Sequence, residues 1–259
     1  MKRKKNKKTR FRKIVKILII SVLGLLVMSI LLPLLYRWVN PPITILMISR
    51  KIDGYEIRKQ WVDIEDISPS LVSCVVAAED NNFLGHNGFD FGAIQKAIDE
   101  RKKGRFRGAS TISQQTAKNV FLWETSSWLR KGLEVYFTFW IERFWSKKRI
   151  MEVYLNVIEM GGGIYGVAAA SEVYFHKTAK KITPYQSALL TAALPSPLHR
   201  NPARPSAYMS SRAGQILAVS HKIGKVKFDK ESIQKAQKRY EKREDKRRKK
   251  NGDNILKIN

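Results

Sequence analysis

Two stretches of this chain concentrate residue types that do chemistry. Gly108-Ala109-Ser110-Thr111-Ile112-Ser113-Gln114-Gln115-Thr116-Ala117-Lys118-Asn119 is rich in hydroxyls and carboxamides, carries a lysine, and is poor in apolar side chains. A helix starting inside it would turn backbone N–H groups and the positive end of its dipole toward an anion. Ala77 to Asp90 supplies complementary groups, with Glu79, Asp80, Asn81, Asn82, His86 and Asp90 close in sequence. Glu79 closes an apolar run containing Val75, Val76 and Ala78, so its carboxylate could take a proton from an attacking hydroxyl. Burial and a helix C-terminus would raise its pKa and neighbouring cations would lower it; the sequence leaves the net direction open. An isolated glutamate at a helix end is most often a solvated surface acid, so the assignment depends on what surrounds it.

Glu134 is the second acid of interest. Arg130 precedes it by four residues, which on its own describes a surface ion pair worth a few tenths of a kcal/mol. Arg105, Arg107, Lys118, Arg130 and Lys131 would form a cationic surface if folding brought them to the Thr111 helix start. Such a surface suits a diphosphate leaving group. No Gly-x-x-x-x-Gly-Lys-Ser/Thr loop is present, which argues against a nucleotide site. His86, His176, His199 and His221 lack ligand spacing, so no metal site is expected. Asp80 and Asp90 read as capping or salt-bridging residues, and the single cysteine, Cys74, as a small core residue.

These residues must be positioned by helices. Ser68-Pro69 signals a helix running to about Asp80, Asp90 caps a second to about Lys102, and Thr111 with Gln114 has capping-box spacing for a third. Leu129, Leu133, Tyr136, Phe137 and Trp140 fall on one helical stripe, and Ile150, Val153, Tyr154, Val157 and Ile158 on another, which Gly161-Gly162-Gly163 should end. Thr183-Pro184-Tyr185-Gln186 opens a further helix, which Pro195 and Pro197 end. Residues 43–62 read as a short hairpin or extended arm around Asp53-Gly54. The fold class is mainly α.

The net charge of +27 is concentrated at the ends: residues 1–16 hold ten Lys or Arg and no acid, and residues 222–250 hold fourteen basic and five acidic residues. Ile17 to Leu35 carries no charge and is long enough to cross about 30 Å of hydrocarbon, with Tyr36, Arg37 and Trp38 as interface anchors. Bulky residues follow it where a cleaved signal peptide would have small ones. The expected organisation is a basic cytoplasmic tail (1–16), a transmembrane anchor (17–38), a linker or arm (39–64), a catalytic domain (65–221) and a basic tail without a core (222–259). The preceding cations place the N-terminus in the cytoplasm and the rest on the outer side. Aromatic residues between Phe121 and Trp145, interleaved with Lys and Arg, could stack nucleic-acid bases or form a membrane-interface belt; the anchor favours the membrane and no nucleic acid.

Five ordered blocks resemble the glycosyltransferase family 51 domain, the peptidoglycan glycosyltransferases, and in particular their monofunctional membrane-anchored type. They are Glu79-Asp80-Asn81-Asn82-Phe83 with His86, Gly88 and Asp90; Gly108 to Asn119; Arg130-Lys131-Gly132-Leu133-Glu134; Lys148 to Asn156; and Ala188 to Pro195. The resemblance implies a lysozyme-like α fold with a small membrane-embedded lobe in the bacterial inner membrane. It implies polymerisation of lipid II, with the growing chain on undecaprenyl diphosphate as donor and the 4-hydroxyl of incoming lipid II as acceptor. By the same resemblance Glu79 is the general base and Glu134 assists near the diphosphate. Ser110, Gln114, Lys118 and Arg130 line the donor pocket, with Lys131 nearby. It admits Mg or Mn as a diphosphate counter-ion and other cell-wall synthases as partners. One feature departs from the family pattern: Ser126 stands where members usually carry an arginine, and Arg107 and Arg130 are the cations available to replace that contact. Two rivals remain, a glycan-cleaving enzyme of lysozyme-like architecture and a non-enzymatic membrane scaffold. A retaining hydrolase would want paired carboxylates and no diphosphate pocket.

Overall fold

The computed structural model describes residues 2–105 and 108–256. The chain divides into two units, residues 1–40 and 41–259. The first is one helix, α1 (Lys2–Leu35), so the basic segment expected as a separate tail continues directly into the apolar one. Phe11–Leu35, 25 residues, is long and apolar enough to cross a membrane. This single N-terminal apolar helix is consistent with a single-pass anchor.

The second unit is mainly α, as expected. Residues 45–52 form a helix, α2 (Ile45–Ile52), where an arm or hairpin was expected. Thr44 caps it by accepting from the Met47 amide at 3.3 Å, and Met47 and Arg50 point one turn apart into the interior. Only Arg58–Lys59 is extended; this β1 pairs in parallel with β3 (Ile164–Tyr165), which pairs antiparallel with β2 (Glu159–Gly161). The triple glycine therefore belongs to the β2–β3 turn, and the helix it was expected to end stops earlier, at Val157.

Two groups of helices carry the site. In the first, α3 (Pro69–Glu79) packs against α9 (Pro184–Ala193) and α10 (Ala207–Ile223). Their shared core of Cys74, Ala188, Leu189, Ala192, Ala213 and Ile216 is built largely from small side chains, which lets the helices approach closely. In the second, α5 (Ile112–Phe121) packs against α6 (Trp128–Phe144) and α7 (Lys147–Val157), and α7 continues the contact to α8 (Gly166–Phe175). Between α3 and α5 in sequence lies α4 (Phe91–Lys102), capped by Asp90 as expected. Thr111 and Thr183 form complete capping boxes with Gln114 and Gln186, also as expected.

Two expectations change. The fully buried residues of α6 are Glu134, Thr138 and Ile141; of the anticipated stripe Leu133, Tyr136, Phe137 and Trp140 are half-buried, with Phe137 stacked on the buried Phe121, and Leu129 is 70% exposed. Apolar periodicity misses the centre of the buried face because Glu134 and Thr138 occupy it, while Trp128 and Phe139 are exposed. The C-terminal segment, expected to lack a core, forms α11 (Lys230–Leu256). It turns a half-buried face of Ile233, Ala236, Tyr240, Glu244 and Arg247 toward the rest of the unit.

A buried ion-pair cluster anchors α2. Arg50 meets Glu159 with both Nε–Oε1 (2.8 Å) and Nη2–Oε2 (3.2 Å), and Nη2 also reaches Glu124 Oε1 at 2.8 Å. Arg50 and Glu159 are both buried. Arg50→Ala should therefore cost about 3–5 kcal/mol, because it strands the Glu159 carboxylate. Chemical denaturation of the detergent-solubilised chain measures this; a loss below about 1 kcal/mol would show that the pair contributes nothing net.

Candidate active site

Glu79 is the last residue of α3, and the Asp80 amide closes that helix on Val76 O at 3.2 Å. The Glu79 side chain is half-buried, and its Oε2 accepts from Gln115 Nε2 at 2.7 Å. Gln115 is held in turn by Tyr154, whose hydroxyl donates to Gln115 Oε1 at 3.2 Å. Burial, with the Glu79 and Asp80 charges, holds the Tyr154 hydroxyl well above its ordinary pKa, so it stays a donor. That fixes the carboxamide with its nitrogen toward the carboxylate. Burial raises the pKa of Glu79. The Gln115 hydrogen bond and the charges of Arg212 and Lys118 oppose the rise, and Asp80 adds to it. The question the sequence left open is answered upward: the charged form of Glu79 is destabilised, as a proton acceptor requires.

Asp80 faces the other way. Both its oxygens lie 3.0 Å from His86 Nε2, and Oδ2 accepts from the Ile112 amide at 3.1 Å. The Thr111 amide donates to Gln114 Oε1 (3.0 Å) and the Gln114 amide to Thr111 Oγ1 (3.2 Å). The α5 start, read from sequence as an anion cradle, thus spends its first donors inside the protein, and the anion it holds is Asp80. Gln114 is committed to this cap and is buried. The neighbouring Gln115, one residue further round the helix, is the glutamine that reaches Glu79. Sequence reasoning missed it; the signal was present, because once Gln114 serves the capping box, Gln115 is the glutamine left in the first turn. Ser110 is exposed immediately before the cap. Arg107 lies outside the described residues.

The cationic groups come from α5 and the first turns of α6. Ser127 caps α6 by accepting from the Arg130 amide at 3.1 Å. Glu134, buried one turn on, forms an ion pair with Lys131 and lies 3.5 Å from Arg130 Nη1. The Arg130 contact falls outside hydrogen-bond geometry, so Arg130 Nε and Nη1 are buried donors with no acceptor among the described residues. Burial lowers the Lys118 pKa, and Glu134 opposes that while Arg130 and Lys131 add to it. These interactions place Lys118, Arg130, Lys131 and Glu134 in one electrostatic neighbourhood: three cations around one carboxylate. A cleft of about 220 Å³ is lined by Lys118 together with Gln115, Asn119, Trp123, Leu194 and Pro195, among others. The described residues contain no cluster of three or more His, Cys, Asp or Glu able to hold a metal. Among the described residues the donor set of the site is cationic and its two carboxylates already have partners, so these residues do not offer a cage for Mg or Mn.

A family model described as transglycosylase matches residues 47–221. The chain belongs to the transglycosylase family. It is 52% identical over 204 residues to the biosynthetic peptidoglycan transglycosylase of Bacteroides thetaiotaomicron, covering 76% of this chain and 82% of the relative. It is 50% identical over 217 residues to the protein of the same name from Bdellovibrio bacteriovorus, covering 81% and 87%. A third relative of that name, from Caulobacter vibrioides, is 52% identical over 184 residues, covering 71% and 80%. The family match contains Glu79, the cap of α5 and the Arg130–Glu134 segment, while α1 and α11 lie outside it.

Removing the Gln115 hydrogen bond should raise the Glu79 pKa further, since that bond favours the charged form. In Gln115→Leu the titration midpoint of the Glu79 carboxyl, followed by its 13C resonance, should move to higher pH than in the unsubstituted chain. No movement, or a downward one, would show that Gln115 does not tune this carboxylate.

Proposed function

We propose that this chain polymerises lipid II into glycan strands, with Glu79 as the general base and Lys118, Arg130 and Lys131 as the diphosphate-binding wall. The observation that carries the reading is a half-buried carboxylate of raised pKa bonded to Gln115, which lines one cleft together with Lys118, with the unsatisfied Arg130 donors in the electrostatic neighbourhood of that lysine. The 4-hydroxyl oxygen of the acceptor attacks C1 of the donor sugar while Glu79 takes the hydroxyl proton. The bond from C1 to the diphosphate oxygen breaks with its electron pair, and undecaprenyl diphosphate leaves. This single displacement inverts C1. The negative charge gathering on the leaving oxygen is met by donors already in place, which lowers the barrier without reorganisation at the moment of reaction. Glu134 neutralises part of the cationic cluster and orients Lys131 and Arg130, so that the pocket holds a diphosphate yet can release it. Ser110 extends the donor wall at its open edge, and Gln114 supports it from within the cap.

The surroundings suit a lipid-linked substrate. Trp128 is 92% exposed and Phe139 57%, on the same helix that supplies Arg130 and Lys131, and Phe91 and Ile98 are exposed on α4. Exposed apolar side chains on the helix that supplies the cations are what a polyprenyl diphosphate at a membrane would use, and they support the small membrane-embedded lobe that membership of this family implies. The ten cations in residues 1–16 orient the anchor with its N-terminus in the cytoplasm and the catalytic unit on the outer face of the bacterial plasma membrane. Other cell-wall synthases are the natural partners of a polymerase so placed. The surplus of buried cations disfavours the glycan-cleaving alternative, since hydrolysis has no diphosphate to stabilise.

Two substitutions test the roles. Glu79→Gln keeps the shape and the partner position but cannot accept a proton, so polymer formation from lipid II should disappear while lipid II binding survives. Retained turnover would remove Glu79 as the base. Lys118→Ala should weaken donor use by about 1.5–3 kcal/mol, the value of a charge-assisted hydrogen bond, read as a fall in kcat/KM. Unchanged kinetics would take Lys118 out of the site.

A further inference from the structure

The loop joining Glu79 to α4 is held from below by α5 and α6. Thr111 Oγ1 donates to Gly88 O at 2.6 Å, and Asp80 is bound to the Ile112 amide and His86. Its other side is covered by α11, which begins nine residues beyond the family match. The Tyr240 hydroxyl accepts from the Phe91 amide at 3.2 Å and donates to Asp90 Oδ1 at 3.4 Å. Asp90 Oδ2 in turn accepts from Asn82 Nδ2 at 2.8 Å, and Asn82 Oδ1 accepts from Arg243 Nη1 at 3.3 Å. The Tyr240 ring stands edge-on to the buried His86 ring, with centroids 6.0 Å apart. Gly85 marks how close the approach is: a Cβ there would lie 2.8 Å from Tyr240 Cβ and 3.1 Å from Ala236 O. Burial and the nearby Asp90 and Glu244 charges raise the Tyr240 pKa to about 12, so the hydroxyl remains a donor to Asp90 across the physiological range.

We infer that α11 is an intramolecular clasp for the Glu79 loop, and that Tyr240 is a positioning residue for the transfer reaction, acting through the loop of Asp80, His86 and Asp90 and not on substrate. The physical logic is a lever of fixed length. Asp80 is bonded covalently to Glu79 and by hydrogen bonds to the α5 start and His86, and the His86 ring rests on Tyr240. Loosening the clasp lets the loop breathe, and Glu79 loses its fixed distance to the acceptor hydroxyl. Misplacement of a catalytic group by about 1 Å can cost on the order of a hundredfold in rate. Because, among the described residues, no hydrogen bond or ion pair of α11 reaches Lys118, Arg130 or Lys131, binding should be spared. The outward face of α11 carries the exposed Lys235, Lys238 and Lys242, whose removal should leave the clasp closed.

This inference rests on the polymerase reading for its kinetic arm but not for its structural one. The full-length chain, reconstituted in detergent with lipid II, is compared with Tyr240→Ala, Tyr240→Phe, Gly85→Ala and the control Lys238→Ala. Tyr240→Ala should lower kcat about tenfold or more while leaving KM within about twofold. Tyr240→Phe, which keeps the ring, should recover part of that loss. Gly85→Ala, which forces the helix away without changing it, should reproduce the Tyr240→Ala phenotype, and Lys238→Ala should behave as wild type. Amide hydrogen exchange on the same samples should speed up across residues 80–92 in Tyr240→Ala and Gly85→Ala, with α9 and α10 unchanged. Unaltered exchange at 80–92 would overturn the clasp, and faster exchange with unaltered kcat would overturn the positioning role. Absence of polymer from the wild-type chain would count against the polymerase reading alone, and the exchange pattern would still decide whether the clasp exists.

Discussion

The buried Asp80 carboxylate, shared between the Ile112 amide and His86 Nε2, joins the end of α3 to the start of α5. A helix start presents unpaired N–H groups that need an acceptor, and a buried carboxylate needs donors; each solves the other's problem. The consequence is geometric. With α5 pinned by its first turn to the residue beside Glu79, Gln115 lands on the Glu79 carboxylate, and Lys118, three residues further along the helix, projects beside the cleft. One internal contact therefore sets the relation between the proton-accepting group and the cationic wall, although those groups come from three helices.

The two sides of the site are tuned by the same physics with opposite outcomes. Removal from water disfavours the charged form of Glu79 and of Lys118 alike, raising one pKa and lowering the other. Neither group is silenced by a direct ion-pair partner. Glu79 is bonded to a neutral carboxamide, and the carboxylate near Lys118 is mostly engaged by Lys131. A strong pair between Glu79 and a lysine would make a stable protein and a poor base. Gln115, locked by Tyr154, lines the cleft together with Lys118 and leaves the Glu79 carboxylate able to take a proton.

Much of this was legible in the sequence, and the reasons are local. Capping boxes at Thr111 and Thr183, the Asp90 cap and the apolar helix all depend on residues within a few positions of each other, and they formed as read. The buried Cys74 followed from its apolar neighbours. What was not legible depends on long-range placement. Arg50 draws residues 45–52 into a helix through partners at Glu124 and Glu159, far along the chain. The α6 helix buries Glu134 beside the half-buried Leu133, Tyr136 and Phe137 and exposes Leu129, because Arg130 and Lys131 on the same helix supply the carboxylate's partners. The α5 start was read as a ligand cradle because nothing local says that Asp80, some thirty residues earlier, occupies it. Tyr240 and its helix were discounted because charge density masks a narrow stripe of contact residues.

The central claim is that burial beside a neutral partner gives Glu79 a raised pKa while the facing wall stays cationic. The pH dependence of kcat/KM for lipid II polymerisation by the unmodified chain tests it most directly, because it reports the essential base of the free enzyme. Activity should fall on the acid side as Glu79 becomes protonated, with a midpoint clearly above the ordinary glutamate value of about 4.3. A midpoint at that ordinary value, or no acid limb at all, would contradict the account.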